Sequence, residues 1–179
     1  MLLKTYFARM AQYNQWMNEK VYACAAGLDP DILHEDRGAF FGSIFRTLNH
    51  LMVADRIWLK RFAEHPRHFA ALEPVRAMPH PYTLDEILYP ELGALSAARV
   101  ELDAIIRAAF DEVSDADLAQ PLSYRNRAGQ AFRKNFGELA QHFFNHQTHH
   151  RGQITTLFSQ LGIDVGVTDL VMLVPDVEG

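Results

Sequence analysis

Residues 136–161 read FGELAQHFFNHQTHHRGQITTLFSQL, and this stretch decides the fold. Its apolar residues Leu139, Phe143, Ile154, Leu157 and Leu161 recur at the four-three spacing of an amphipathic α-helix. The same stripe runs through His146 and His150, and His142 and His149 lie on the same helix. Side chains four residues apart stack on one face, one turn apart. Two imidazoles so placed can reach one metal ion, the geometry behind the zinc-binding HExxH helix. Here the pair stands where a helix ordinarily places leucine, which points to a metal site.

Outward from this helix the same period recurs. Asn135 with Glu138 forms a capping box at its start, and Gly162 stops it as a left-handed cap. Before it, Pro121 to Arg133 breaks the helical period; Leu122, Tyr124 and Phe132 around Arg127-Ala128-Gly129 predict a short hairpin or an extended loop. A first helix is expected from Leu2 to Leu28, with Leu3, Phe7, Met10, Met17, Val21 and Cys24 on one stripe that Asn14 interrupts; Asp29-Pro30 ends it. The loop Arg37 to Gly42 leads to Ser43, an N-cap for a second helix that carries Ile44, Leu48, Leu51, Trp58 and Phe62. Prolines and histidines from Glu64 to Pro81 read as a long surface loop. Thr83 to Glu86 reads as a capping box opening a third helix to Phe110, kinked near Pro90. An apolar cluster, Leu170 to Val174, is expected to dock on the helices. Four amphipathic helices must bury their stripes against one another, so the predicted fold class is all-α, a four-helix bundle. Its long connections permit neighbours other than simple up-and-down pairs. No linker divides the chain, so one domain over residues 1–179 is expected.

Composition limits the function classes. The 179 residues carry a net charge of −5 with the histidines neutral, which disfavours nucleic acid as the main partner. The densest basic stretch, Arg125 to Lys134, reads as an exposed connection. Hydrophobic content of 49% is that of a globular chain rather than a disordered one. Cys24 is the single cysteine, read as a buried, inert thiol on the apolar side of the first helix. No run approaches the length of a membrane span, and the amino terminus reads as a helix rather than a secretory leader, so a cytoplasmic location is expected.

Two stripe histidines alone leave alternatives open: they can bond to each other, to water or to a carboxylate, or the stripe can be rotated by one position. A third donor favours metal, and His50 in Leu48-Asn49-His50-Leu51, on the shoulder of the second helix's stripe, is the candidate. His50, His146 and His150 would give three neutral nitrogen donors with positions left open, the pattern of catalytic more than structural sites. Imidazoles suit zinc or nickel first, with iron, copper or manganese next; pattern does not choose among them. His149 reads as a flanking residue and His142 as a residue at the mouth of the site. Asp55 reads either as a group orienting a ligand histidine or as the partner of an arginine such as Arg151. Asn14 and Trp16 read as packing and hydrogen-bonding elements, and His34, His65, His68 and His80 as exposed.

The segments Tyr13-Asn14-Gln15-Trp16-Met17-Asn18, Leu48-Asn49-His50-Leu51 with Asp55 and Trp58, and His146-Gln147-Thr148-His149-His150-Arg151-Gly152-Gln153-Ile154 resemble the DinB-like (DinB/YfiT) family of damage-inducible bacterial proteins. The resemblance runs from the first helix to Leu161. It implies a four-helix bundle of unusual connectivity, a divalent metal on His50, His146 and His150, and a homodimer. Characterised relatives include transferases and isomerases that use low-molecular-weight thiols such as bacillithiol or mycothiol. A fold alone transfers no activity. Three functions therefore stand side by side: a metal-dependent thiol S-transferase or hydrolase in a stress response, a non-catalytic stress-induced metal-binding protein, and a dimeric interaction module whose histidines are core polar groups.

Overall fold

The amphipathic segments form four long helices, α1 (Leu3–Ala26), α3 (Ile44–Phe62), α5 (Leu92–Glu112) and α7 (Phe136–Gln160), with short helices α2 (Pro30–His34), α4 (Glu73–Ala77) and α6 (Asp115–Leu118) between them. This is a computed structural model, and it describes residues 2–176. The chain is mostly helical, with one two-stranded antiparallel sheet of β1 (Pro121–Arg125) and β2 (Ala131–Asn135). The hairpin alternative for residues 121–133 is thus the one realised, in register Leu122 opposite Lys134 and Tyr124 opposite Phe132. Among the described residues no helix is long and apolar enough to cross a membrane.

Local chemistry explains most boundaries. Ser43 caps α3 by accepting from the Arg46 N–H at 3.1 Å. Asn135 caps α7 by accepting from the Glu138 N–H at 3.0 Å. At the other end of α7, Gly162 adopts φ +74° while its N–H reaches Ser159 and the Ile163 N–H reaches Phe158, both carbonyls of the last turn. That is the Schellman arrangement, which only a residue without Cβ adopts without strain. The start of α1 has no side-chain cap of its own; Asp115 of α6 accepts from the free Lys4 N–H at 2.8 Å.

One helix begins later than expected. Glu86 does reach back to the Tyr82 and Thr83 N–H groups, but no helix follows, and α5 starts at Leu92. A helix opened at Leu84 would carry Pro90 past its first turn, where proline removes a hydrogen bond and clashes with the preceding turn. The segment is instead fastened to α3: the Asn49 side chain accepts from the Tyr89 N–H at 3.1 Å and donates to the Tyr89 carbonyl at 3.3 Å.

The stretch from Glu64 to Pro81 is also no simple surface loop. Phe69, Leu72 and Val75 are buried, and α4 lies within it. His65, expected in solvent, is fully buried between Phe69 and Phe136 at ring separations of 5.0 and 4.8 Å. Its prolines end α3's direction, but the interspersed apolar residues still drive the segment onto the end of the core. His34, His68 and His80 are exposed, as expected. Cys24 is half-buried rather than buried, with burial raising its thiol pKa. Leu3 projects into solvent. In the tail, Leu170 and Leu173 pack partly against the core, and the Tyr13 hydroxyl donates to the Thr168 carbonyl at 2.7 Å.

Cross-helix pairs fix the directions of the long helices. Phe7 of α1 meets Phe144 of α7, and Asn14 meets Arg151, so these two run parallel. Phe62 and His50 of α3 meet Phe143 and His150 of α7 in reverse order, so α3 runs opposite. α5 runs with α3, since Asp55 meets Arg99 and Phe62 meets Phe110. The long connections on either side of α5 permit this parallel relation.

Midway along the helices lies a buried polar network. Arg99 of α5 reaches Asp55 of α3 at 2.6 Å and Asp103 one turn on at 2.9 Å. Asp103 accepts from Asn14 and Asn18 of α1, each at 3.0 Å, and Arg151 of α7 donates to the Asn14 carbonyl oxygen. Asp55 therefore pairs with an arginine, but with Arg99 and not Arg151, because α5 brings its guanidinium to the α3 face directly. Burial drives the Asp55 carboxyl up to about 6 while Arg99 pulls it back, and burial lowers Arg151 to about 10. Two carboxylates against two guanidiniums leave no net charge in the core. Removing one partner of such a buried pair costs about 3–5 kcal/mol, against at most about 1 for an exposed pair. Urea unfolding should accordingly show Arg99→Leu losing about 3–5 kcal/mol, and Glu35→Ala, which removes the exposed partner of Arg37, losing less than about 1.

Candidate metal centre

α3 and α7 present the three histidines to one another because they cross antiparallel at His50. His146 and His150 follow at one-turn spacing on the face of α7 that meets it. Ring centroids stand 5.2 Å apart for His50 and His146, 4.6 Å for His50 and His150, and 4.4 Å for His146 and His150. One ring nitrogen from each lies within 4.8 Å of the others. His50 and His150 are buried and His146 is half-buried.

The outer nitrogens are engaged in ways that aim the inner ones. His50 Nδ1 lies 2.7 Å from the Leu84 carbonyl, and His150 Nδ1 lies 2.8 Å from Gln153 Oε1. A ring that donates from Nδ1 leaves Nε2 with a free lone pair, the tautomer a metal ion requires. His50 Nε2 and His146 Nε2 stand 3.3 Å apart. Two nitrogens bonded to one tetrahedral ion at about 2.0–2.1 Å are separated by roughly 3.3–3.4 Å, so the spacing suits a shared ion.

Electrostatics favour neutral donors. Burial pushes the pKa of His50 and of His150 below the usual histidine value. His146 is pushed down to about 3, by burial first and then by the mutual repulsion of the surrounding imidazoles. Three neutral imidazoles held together without a carboxylate among the cluster are a donor set suited to a divalent cation.

Phe41, from the loop before α3, covers one side. Its ring stacks on His50 at 3.8 Å and meets His150 edge-on at 5.6 Å. On the other side His50 and His146 open onto a cavity of about 480 Å³ that runs along α3 past Ala54, Ile57 and Trp58. His142 lines this cavity, packed 4.9 Å from Trp58, and stands apart from the three-nitrogen group. His149 is exposed on the flank, its Nε2 3.3 Å from Gln153 Nε2. Asp55 touches none of these rings; its partner is Arg99.

Pattern reading did not find Phe41, the Leu84 carbonyl or the role of Gln153. Only Gln153 left a trace, standing three residues after His150 on the same helix face. Phe41 and Leu84 come from irregular segments that carry no periodic signal.

A family model described as DinB family matches residues 1–175. Protein DinB of Bacillus subtilis (strain 168) is 25% identical over 165 residues, covering 90% of this chain and 89% of that protein. No solved structure matches the chain significantly.

The depressed histidines give the site a pH signature. His146 titrates at about 3 when folded and near the ordinary value of about 6.5 when unfolded. Above about 6.5 neither state holds the proton and the folded state is fully stable; below that, the unfolded chain takes up a proton that the folded chain refuses. The melting temperature of metal-free protein should therefore fall as pH drops from about 7 to about 4, and His146→Gln should flatten that fall.

Proposed function

The chain belongs to the DinB family, and from that premise we propose that it is a metal-dependent enzyme, a thiol S-transferase or hydrolase working on a small molecule. The observation that carries the reading is the cavity beside His50 and His146. Ligands that only stiffen a fold are closed off on all sides, whereas catalytic sites keep a face open to substrate. The bound ion is a divalent cation, zinc or nickel in the first instance.

A divalent ion supplies Lewis acidity toward an oxygen or sulfur group brought against it. The rest falls to the chain. Leu84 and Gln153 fix the ring orientations of His50 and His150, which keeps the donor geometry from relaxing when substrate arrives. Phe41 closes the rear of the cluster to solvent. Trp58 and His142 form an aromatic wall that positions substrate at the open face.

The same reading takes α1, α3, α5 and α7 as a four-helix bundle of the DinB type in one domain. By analogy with the family, the protein acts as a cytoplasmic homodimer in a stress or damage response, without binding nucleic acid. The meeting of all four helices at the Asp55–Arg99–Asp103 network supports the bundle.

Elemental mass spectrometry on tag-free protein should find near-stoichiometric metal in the parent and none in a His50→Ala, His146→Ala double variant of unchanged helical content. Chelation should lower the parent's melting temperature and abolish any thiol-transfer or hydrolytic activity. Metal-free parent protein that cannot be loaded with zinc, nickel or cobalt would end the reading.

A further inference from the structure

The cavity beside the histidines has two ends of different chemistry. Its lining includes no carboxylate, while Arg61 and Arg127 both face it. A second cavity, of about 500 Å³, abuts the first at Arg61 and adds Lys60, Arg76 and Arg125 together with one carboxylate, Glu64. Most of these cations are already engaged. Lys60 donates to the Val75, Arg76 and Met78 carbonyls, at 3.2, 3.0 and 2.6 Å. Arg76 pairs with Glu73 and Glu64, and Arg125 donates to the Gly129 carbonyl at 2.7 Å.

Arg61 and Arg127 differ. Among the described residues neither has a carboxylate or a hydrogen-bond acceptor. Arg61 is held in place by aromatic faces alone, 4.4 Å from the Trp58 ring and 4.8 Å from that of Tyr124. Stacking fixes the plane of a guanidinium while leaving its N–H fork free, the arrangement suited to receiving a planar anion in two hydrogen bonds. Arg127 sits on the β1–β2 turn, which the Asn126 and Gln130 backbones close at 3.0 Å with Gly129 at φ +78°. The turn is thus a built element rather than a trailing loop.

Between the two ends the wall is apolar: Ala54, Ile57 and Trp58 follow His50 at successive turns of α3. His50 and Arg61 are separated by roughly 16 Å of axial rise along that helix. We propose that the substrate is an elongated organic acid: a metal-directed head at His50 and His146, an apolar middle along Ala54, Ile57 and Trp58, and an acid group held by Arg61 and Arg127. This rests on the metal-centre reading and adds the class of molecule that the centre acts on. The free carboxylate is drawn to Arg61 and Arg127, neither of which is paired with an acidic side chain among the described residues, and this attraction also raises its encounter rate at low salt.

The test uses full-length protein loaded with cobalt(II), whose visible spectrum reports both occupancy of the three-histidine site and ligands added to it. Three hydroxamates share one metal-directed head and one chain length: suberic monohydroxamate with a carboxylate tail, octanohydroxamate with a methyl tail, and 8-aminooctanohydroxamate with an ammonium tail. The expected result is that the carboxylate probe binds about tenfold or more tightly than either of the others, as charged hydrogen bonds warrant, with the advantage shrinking in high salt. In an Arg61→Gln, Arg127→Gln variant the advantage should vanish while the cobalt spectrum and the affinity for octanohydroxamate persist. Arg127→Gln alone, on an exposed turn, should show part of the loss even if the double variant folds poorly. Equal affinity for the three tails would overturn the anion subsite and leave the metal centre standing. A carboxylate preference that survives both substitutions would overturn the assignment to these arginines. Failure of cobalt to load would remove the metal centre and this inference with it.

Discussion

Four buried charges at the crossing of the long helices hold the structure in one register. Asp55, Arg99, Asp103 and Arg151 come from α3, α5 and α7, and α1 joins them through Asn14 and Asn18. Hydrophobic burial is non-directional and would tolerate a helix slipped or rotated by a residue. A buried ion pair does not, because any slip leaves a charge without its partner in a poorly solvating interior. The rest follows from adjacency: Arg151 is covalently next to His150, and Asp55 lies little more than one turn beyond His50. A network that fixes those residues also fixes the phase at which the three imidazoles meet.

The two layers divide labour by type of polarity. The charged network pairs mainly within itself, and its Arg99 and Asp103 line a cavity between α1 and α5, separate from the one at the histidines. The histidines are neutral, gathered where α3 and α7 cross, and open to a cavity on one side. An aromatic layer of Phe7, Phe62, Phe110, Phe143 and Phe144 then closes the core beyond them, with neighbouring rings 4.8 to 6.5 Å apart. Ordinary packing supplies the stability, and the polar layers supply position.

What could be read in advance follows this division. Periodicity exposed α7, its stripe and the histidine pair, since a 3.6-residue repeat is written in the chain itself. Ser43, Asn135 and Gly162 were legible for the same reason: a cap acts on residues within one turn of it. The Thr83–Glu86 pair misled because its local geometry is satisfied whether or not a helix follows, and Pro90, a turn and more away, forbids the helix. His65 was misplaced because flanking prolines say where a helix ends and nothing about where the chain goes next. For Asp55 the arginine-partner alternative is the one realised, but with Arg99 in place of Arg151, because the partner depends on which helix lies beside α3 and long connections conceal that. Leu84 was out of reach altogether, since it contributes a backbone carbonyl that any residue would offer.

Consecutive residues of α3 grip the irregular segment before α5 at two points: Asn49 holds the backbone of Tyr89 and His50 meets the carbonyl of Leu84. The chain between these two anchors has a fixed contour to span, whereas the chain on either side of them is free to lengthen at little entropic cost. The segment therefore divides into a stretch whose length is constrained and flanks whose length is not. An insertion outside the anchors would leave the imidazole in place, whereas a deletion between them would pull the carbonyl off it and turn the ring away from its neighbours.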